Sequence, residues 1–564
     1  MACGLALFVG ILEIGRNWLG PLREAAPISR SPAVLPLYAA FSLLRITAAY
    51  ALSLAFALSY GYIAARSRAA ERIMLPLLDV LQSIPVLSFL PGVILAMVAL
   101  FPTRQIGLEI GSILLIFTGQ VWNMAFSFHA SLKNLPTDLR EAAEIYRFGA
   151  WQRFAEVELP YGAIGLAWNS MMSVAGGWFF LMVCEMFVLG HRDFRLPGLG
   201  SYLQAAASAG DTAAIAWGLA AMIGVIVLLD QLVWRPVLVW AEKFKMEQVA
   251  AGPPAHSTVL ELLRRSRVVT ALRRKVLSPA ADRGIRFFAR RAEAERAETA
   301  GSAAVGAGAT KTRWHPELWL FRLLTVAAVG GVSYALFRAG AMLSGLNLQA
   351  LREIALGAVA TFLRVLAALA IGAAWAVPAG VAIGSNPKLA RYMQPLAQIA
   401  ASVPATALFP VVLLVLVRVG GGLGIASIVL ILLGTQWYIL FNVIAGASAL
   451  PSDLREVAGI YRFRGVERWR VLILPGIFPY LVTGMVTAAG GAWNASIVAE
   501  YFHFKGRILS TPGLGATIAK ATDAGAYDVL LAATIVMSAM VVTTNRLLWR
   551  RLYTLAETRF RLEA

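Results

Sequence analysis

Long uninterrupted apolar runs constrain the fold of this chain more than any other feature. In the first half they cover residues 46–63, 90–100 with an apolar upstream flank, 110–128, 163–189 and 213–238. About 20 apolar helical residues cross a hydrocarbon core roughly 30 Å thick. At 59% hydrophobic and 14% charged residues, the chain is too apolar for an ordinary soluble protein. We therefore predict an all-α polytopic membrane protein. A transmembrane β-barrel is excluded, because its strands alternate in polarity.

The second half of the chain repeats the first. The Pro-Gly-Leu-Gly sequence occurs at 197–200 and again at 512–515, at an offset of 315 residues. Single residues that match at this offset are Trp122 and Trp437, Trp178 and Trp493, Glu185 and Glu500, and Trp234 and Trp549. Farther upstream Ser83-Ile-Pro85 matches Ser402-Val-Pro404, at an offset of 319. Matches of this density indicate a gene duplication.

Each repeat is predicted to contain about six transmembrane helices. The first-half spans are a weak segment at 4–15, then 38–64, 74–100, 106–130, 161–189 and 211–240. The second-half spans are 317–337, 355–384, 392–418, 422–447, 476–502 and 526–548. Segment 4–15 is too short to cross a bilayer comfortably, so either the chain start is truncated or this helix is partial. The domains are then a first repeat at 1–242, a linker at 243–315 and a second repeat at 316–564.

The distribution of cations gives an orientation. Loops at 66–72, 135–160 and 450–475 are rich in Lys and Arg and fall on one side if the spans alternate, which predicts that this side is cytoplasmic. An even number of spans per half makes the repeats parallel. The formal charge of +19 is concentrated in the linker and in such loops, so it does not indicate nucleic-acid binding. Within the linker, 257–277 has the pattern of a basic amphipathic helix on anionic membrane lipid, although a plain solvated tether also fits.

Two polar islands, at 135–160 and 450–475, interrupt the apolar runs with nearly the same sequence. Glu141 and Pro160 are separated by 19 residues, as are Glu456 and Pro475. Asp138 and Asp453 lie three residues before these glutamates, the spacing of a helix N-cap and its N3 partner. The two prolines suit the first turn of the following span. A polar helix duplicated in this way predicts a docking surface that is used twice.

On these residues the chain resembles the permease subunits of ATP-binding-cassette (ABC) importers, whose cytoplasmic Glu-Ala-Ala loop ends in Leu-Pro and docks into a cleft on the ATPase. The resemblance assigns ATPase coupling to Asp138, Glu141, Ala142, Ala143, Gly149, Pro160, Asp453, Glu456, Ala458, Gly465 and Pro475. Arg147 and Arg462 stand where the family usually has glycine, and Gly149 and Gly465 nearby suggest a shifted turn. Trp151 and the Pro-Gly-Leu-Gly element look most like the nitrate, sulfonate, taurine and bicarbonate group.

The resemblance implies a type I importer permease, here a fused dimer in a bacterial cytoplasmic membrane. Its expected partners are two copies of an ABC ATPase and an extracytoplasmic substrate-binding protein, and its expected substrate is a small anion. The chain has no phosphate-binding Gly-x-x-x-x-Gly-Lys sequence, so we predict that it is not an enzyme and needs no cofactor. The alternatives are a secondary transporter built from parallel repeats, and a polytopic membrane enzyme, for which no catalytic constellation is evident.

Five intramembrane residues are candidates for the translocation pathway. Glu185 and Glu500 lie in otherwise apolar spans, where a carboxylate indicates either a functional group or a hydrogen bond that locks neighbouring helices. A carboxylate is a poor ligand for an anion, which favours the second interpretation. Trp178, Trp493 and Asn494 lie about two turns earlier and fit either a central pathway or helix packing.

Overall fold

A computed structural model of the protein describes residues 18, 20–21, 27–189, 192–244, 260–261, 330–331, 333–418, 422–450, 452–504 and 507–560. The predicted segment 4–15, the linker helix at 257–277 apart from two residues, and most of span 317–337 lie outside these residues. Predictions about them, and the domain limits that depend on them, therefore stay predictions.

The described elements of the first half begin with a long helix and end with a long helix. In order they are α1 (Leu35–Arg66), α2 (Arg68–Ser83), α3 (Leu90–Leu100), α4 (Ile106–Lys133), α5 (Thr137–Ile145), α6 (Ala150–Glu185), β1 (Val188–Leu189), β2 (Arg192–Asp193), α7 (Leu199–Ala209) and α8 (Thr212–Ala241). Strands β1 and β2 form an antiparallel hairpin.

The second half has the same element order. It contains α9 (Leu348–Ser385), α10 (Pro387–Ser402), α11 (Ala405–Arg418), α12 (Leu423–Ser448), α13 (Ser452–Ile460), α14 (Gly465–Ala499), β3 (Tyr501–Phe504), β4 (Arg507–Ser510), α15 (Leu514–Ala524) and α16 (Tyr527–Ala556). Helix α4 packs against α1 and α6, and α12 packs in the same way against α9 and α14. Within the described ranges, eight helices are long and apolar enough to cross a membrane.

This architecture confirms the predicted all-α membrane fold with tandem repeats, but it corrects two predicted spans. Spans 74–100 and 392–418 are each broken in the middle, into α2 and α3 and into α10 and α11. The break falls before Pro85 and Pro404, where Ile84 and Val403 are extended with ψ of 122° and 116°. A proline disfavours helical geometry in the residue before it, so the helix ends although the apolar run continues.

Two further corrections concern the spans that follow the islands. The predicted spans 161–189 and 476–502 end at Glu185 and Ala499, and the chain then enters the two hairpins. At their other end, α6 and α14 begin well before Pro160 and Pro475. A π turn at Phe154–Glu158, and another at Trp469–Ile473, precedes each proline, so the helix continues through it instead of starting there. The wider turn accommodates a residue that has no backbone N–H.

Candidate translocation pathway and coupling islands

A cavity of about 780 Å³ lies between the two halves and is lined by both of them. The broken helices contribute to its wall at their breaks, through Pro85 and Pro404. The halves also contact each other beside it: the Leu87 N–H lies 3.4 Å from Asn494 Oδ1, and the Gln398 amide lies 3.3 Å from Met171 Sδ. The break before each proline thus places the residues around Pro85 and Pro404 on the wall of the cavity between the two halves.

The cavity wall is aromatic and carries neutral hydrogen-bonding groups. The tryptophans along it are Trp122, Trp168, Trp178, Trp234, Trp437, Trp493 and Trp549, and the amides are Gln82, Asn123, Gln394, Gln398, Asn442, Asn494 and Asn545. Asp230 is the one charged side chain among the described lining residues, and its carboxylate lies 3.3 Å from Arg235 Nε. Indole and amide N–H groups can donate hydrogen bonds without adding a fixed charge.

Three of the five predicted pathway residues lie on this cavity. Trp178 and Trp493 occupy matching positions in the two halves, are each 2% exposed and form part of the wall. Trp493 also stacks on Phe362, with ring centroids 6.2 Å apart. Asn494 lies next to it, and its side-chain oxygen faces the backbone of Leu87 in the other half. Their role in transport stays a prediction, because these side chains both pack against neighbouring helices and line the cavity.

Glu185 and Glu500 lie away from the cavity, and both are fully buried within polar clusters. Glu185 accepts hydrogen bonds from Ser42 Oγ at 2.7 Å, from Arg45 Nη1 at 2.8 Å and from the Gly200 N–H at 2.7 Å. Arg45 is itself buried and also forms a bidentate pair with Glu109, at 2.5 and 2.8 Å. We call these side chains the first polar cluster.

The second polar cluster repeats most of this arrangement. Glu500 accepts hydrogen bonds from Thr361 Oγ1 at 2.7 Å, from Arg364 Nη1 at 2.9 Å and from the Gly515 N–H at 2.8 Å. In place of a second carboxylate, Arg364 Nη2 donates to Thr511 Oγ1 at 2.9 Å. In both halves, therefore, an arginine joins α1 or α9 to the glutamate at the end of α6 or α14. This geometry supports the helix-locking interpretation of both glutamates.

The clusters also explain the Pro-Gly-Leu-Gly sequence. A Cβ on Gly198 would lie 2.3 Å from the Glu185 carboxylate, and one on Gly513 would lie 2.2 Å from that of Glu500. The carbonyls of Pro197 and Pro512 accept hydrogen bonds from the two arginines, at 2.8 and 2.7 Å. The element is thus a seat for a buried carboxylate at a helix N-terminus, where the helix dipole favours negative charge.

The arginine partners of these glutamates were not among the residues predicted from the sequence. Arg45 and Arg364 are separated by 319 residues, the same offset that relates Ser83 to Ser402, and both lie inside otherwise apolar helices. An arginine duplicated within a predicted span is as costly as the glutamate. The presence of an arginine and a glutamate within the apolar spans of each half is therefore the sequence signal from which these ion pairs could be predicted.

The polar islands form short helices, α5 and α13, that are attached to the preceding span by arginine. Arg140 Nη2 donates to the carbonyls of Leu132 and Lys133 at 3.0 and 3.2 Å, and Arg455 Nη2 donates to that of Ala447 at 2.8 Å. These bonds cover backbone carbonyls that a helix end leaves without partners. Both helices are therefore held at a fixed position relative to α4 and α12.

Within each island helix the predicted coupling residues divide into an inner and an outer face. Ala143 and Ala458 are buried, whereas Glu141 and Glu456 are exposed. Ala142 is partly exposed beside Glu141. The predicted capping role of Asp138 is wrong, because α5 begins at Thr137 with Pro136 as its N-cap. Asp138 is instead an exposed residue of the first turn, as is Asp453 in α13.

The turn after each island helix includes the arginine, and in the second island the nearby Gly465 is left-handed as well, with φ of 52°. Arg147 and Arg462 have φ of 51° and 56°, in the left-handed region. The Phe148 N–H returns to the Ala143 carbonyl at 2.9 Å, which closes the helix C-terminus. In the first island the predicted shift of the turn to Gly149 is therefore wrong, because Gly149 is extended with φ of −67° and Arg147 adopts the conformation that glycine adopts more easily. Gly149 is instead the N-cap of α6, and its N–H donates to Gln152 Oε1 at 2.9 Å.

Comparison with known proteins agrees with this duplicated architecture. Two regions of the chain, 57–233 and 376–561, match the family described as binding-protein-dependent transport system inner membrane component. The chain belongs to this family. It is a fused double ABC permease, as the sequence resemblance predicted, and a multi-pass membrane protein. This membership decides against the secondary transporter and against the membrane enzyme.

Similar curated proteins are permeases of several solute importers. The chain is 29% identical over 142 residues to the bicarbonate transport system permease protein CmpB of Synechococcus elongatus, covering 25% of this chain and 50% of CmpB. It is 26% identical over 189 residues to the nitrate import permease protein NrtB of the same species, covering 34% and 61%. It is 29% identical over 175 residues to the taurine transport system permease protein TauC of Escherichia coli, covering 31% and 59%. Each match thus spans half to three fifths of the relative.

Proposed function

We propose that this protein forms the transmembrane pathway of an ABC importer in a bacterial cytoplasmic membrane and couples to two ATPase subunits through its two islands. The observation that carries this proposal is the pair of island helices, each fixed to a span by arginine and each presenting an exposed glutamate. Exposed apolar residues accompany the glutamates: Ile145 and Tyr146 are 79% and 75% exposed, and Ile460 and Tyr461 are 78% and 70% exposed. Such side chains suit a partner surface better than water.

The island and the cavity wall are connected through one helix in each half. Helix α6 starts inside the first island, shortly after α5, passes through its π turn and contributes Trp168, Met171 and Trp178 to the cavity. Glu158 in this π turn pairs with Arg66 of α1 and with Arg153, at 3.3 and 3.0 Å. Movement of the island is thereby transmitted to the wall as movement of a rigid element. Two ATPases that close together would pull on both islands and would shift a single equilibrium between the open and closed states of the cavity.

The energy for transport comes from the partner subunits, since the chain has no phosphate-binding loop of its own. An extracytoplasmic binding protein would deliver the solute to the cavity. For the solute we propose a small molecule with a negatively charged oxyacid group, of the class named for the relatives: bicarbonate, nitrate or taurine, which carries a sulfonate. Neutral N–H donors along the wall would hydrogen-bond an oxyanion without holding it by a fixed counter-charge. Weak binding of this kind favours release as well as entry.

Charge reversal at the two exposed glutamates tests the coupling role. We expect Glu141→Lys with Glu456→Lys to abolish co-purification of the ATPase from membranes and to abolish solute uptake. The reason is that each glutamate lies on the outer face of an island helix. Glu353→Lys is the matched control, because Glu353 is also exposed but lies at the start of α9, away from both islands. Permease abundance in the membrane must be equal in all variants.

Retention of the ATPase by the double variant would overturn the proposal. Uptake of labelled bicarbonate, nitrate and taurine by cells that express the complete importer tests the substrate class separately. Failure to transport any of the three would remove the anion assignment and leave the coupling role intact.

A further inference from the structure

The two islands present the same apolar anchors but opposite exposed charge. Ile145 and Tyr146 correspond to Ile460 and Tyr461 and are exposed to a similar degree. Around the first pair the exposed charged residues are Asp138, Glu141, Glu144 and Glu156, against Arg147. Around the second pair they are Asp453, Glu456 and Glu467, against Arg462, Arg464, Arg468 and Arg470. The first island is therefore strongly acidic at its surface, and the second is slightly basic.

The difference arises at a few aligned positions. Glu144 and Glu156 of the first island are replaced by Gly459 and Val471, while Gly149 and Ala155 are replaced by Arg464 and Arg470. Buried charges do not contribute to it: Glu158 is 4% exposed and is neutralised within the protein by Arg66 and Arg153. The contrast is thus a property of the surface that a partner would meet.

We propose that the two islands dock on two different ATPase chains, with a basic cleft rim facing the first island and an acidic rim facing the second. This inference rests on the proposed coupling function. Shared apolar anchors would fill homologous clefts, and the surrounding charge would select the partner, because like charges across an interface are penalised. Two copies of one ATPase would present the same rim to both islands and would be mismatched to one of them.

The composition of the native complex is the direct test. The full chain is tagged, purified in mild detergent from cells that encode it, and its ATPase subunits are identified by peptide and intact mass spectrometry. We expect two ATPase polypeptides of different sequence, one copy of each. A complex with two copies of a single ATPase would overturn the inference. Absence of any ATPase would instead overturn the proposed function, so the two failures are distinguishable.

Charge-reversed variants of the full chain test the mechanism of selection. Glu144→Arg with Glu156→Arg is expected to reduce recovery of one ATPase by roughly tenfold at low salt and to leave the other unchanged. Arg464→Glu with Arg470→Glu is expected to do the same to the other ATPase. Matched controls keep the charge: Glu144→Asp with Glu156→Asp, and Arg464→Lys with Arg470→Lys.

The selective losses should become smaller as ionic strength rises, because exposed charges are screened. Equal recovery of both ATPases in the charge-reversed variants and in their controls would show that exposed charge does not select the partner. Loss of both ATPases from a single reversed island would also contradict the inference, since each island is proposed to select one chain. Membrane abundance of each variant, measured beforehand, separates these outcomes from misfolding.

Discussion

The two polar clusters perform the same structural task with different chemistry. In the first, Arg45 lies between two carboxylates, Glu109 and Glu185, and its side chain is 1% exposed. In the second, Arg364 has one carboxylate, Glu500, and its side chain is 14% exposed. Position 109 corresponds to Gly424 at the offset of 315, so the second half has no side chain there. A duplicated scaffold thus tolerates a change of partner when the arginine gains access to water or to a hydroxyl.

The difference shows which part of the cluster the fold requires. Both halves keep the arginine, the glutamate at the helix end, the small hydroxyl residue at 42 or 361 and the glycines that admit the carboxylate. These groups connect three elements in each half. The additional carboxylate on α4, that of Glu109, only adds hydrogen bonds to Arg45, which Glu185 already holds in place.

Removal of the arginine gives the largest expected effect and distinguishes the halves. Arg45→Met leaves two buried carboxylates without a cation, whereas Arg364→Met leaves one. Breaking a buried ion pair typically costs about 3–5 kcal/mol. We expect both variants to lose stability on this scale, with the larger loss for Arg45→Met. The measurement is thermal unfolding of the purified protein in detergent, with the exposed Arg352→Met as control.

A smaller loss for Arg45→Met than for Arg364→Met would contradict this comparison. It would mean that the two carboxylates on α4 and α6 are neutralised in another way once the arginine is removed, for example by sharing a proton.

The sequence predicts the repeats and the islands well, because both depend on local pattern. Apolar runs define the spans, and the matching glutamates identify the island helices. The breaks before Pro85 and Pro404 are harder to predict, since the apolar residues continue on both sides and only the backbone geometry of one residue ends the helix. The side chains that donate to Glu185, those of Ser42 and Arg45, lie 143 and 140 residues before it along the chain. No local pattern reports such a contact, and only the duplicated Arg45 and Arg364 pointed to it.

The two halves should respond alike to a substitution at the glycine that packs against the buried carboxylate, Gly198 or Gly513. Gly198→Ala and Gly513→Ala would each place a Cβ within 2.3 Å of a carboxylate that several hydrogen bonds hold in place. Overpacking of this type costs about 1–3 kcal/mol. We expect similar losses of thermal stability in the two variants. Gly224→Ala is the control, because no atom lies within 4 Å of its added Cβ and alanine favours the helix.

Unequal losses in this pair would show that one of the two seats is loose. A loose seat in the second half would follow if the more exposed Arg364 allowed Glu500 to move with it.

The smallest expected effect comes from giving the second half the carboxylate that it lacks. Gly424 is in the first turn of α12, and a Cβ added there would meet only Thr511 Oγ1, at 3.8 Å. Arg364 already donates to that hydroxyl. Gly424→Glu therefore has space and a nearby cation, and a carboxylate in the first turn of a helix contributes up to about 1 kcal/mol.

We expect Gly424→Glu to raise the thermal stability of the purified protein modestly, and more than the neutral control Gly424→Gln does. The double variant Gly424→Glu with Arg364→Met then measures the coupling between the two charges. If the gain of the single variant persists without Arg364, the helix dipole and the loss of glycine account for it. If the gain depends on Arg364, the second cluster can accept the chemistry of the first, and its single carboxylate reflects a difference in composition and not a lack of space.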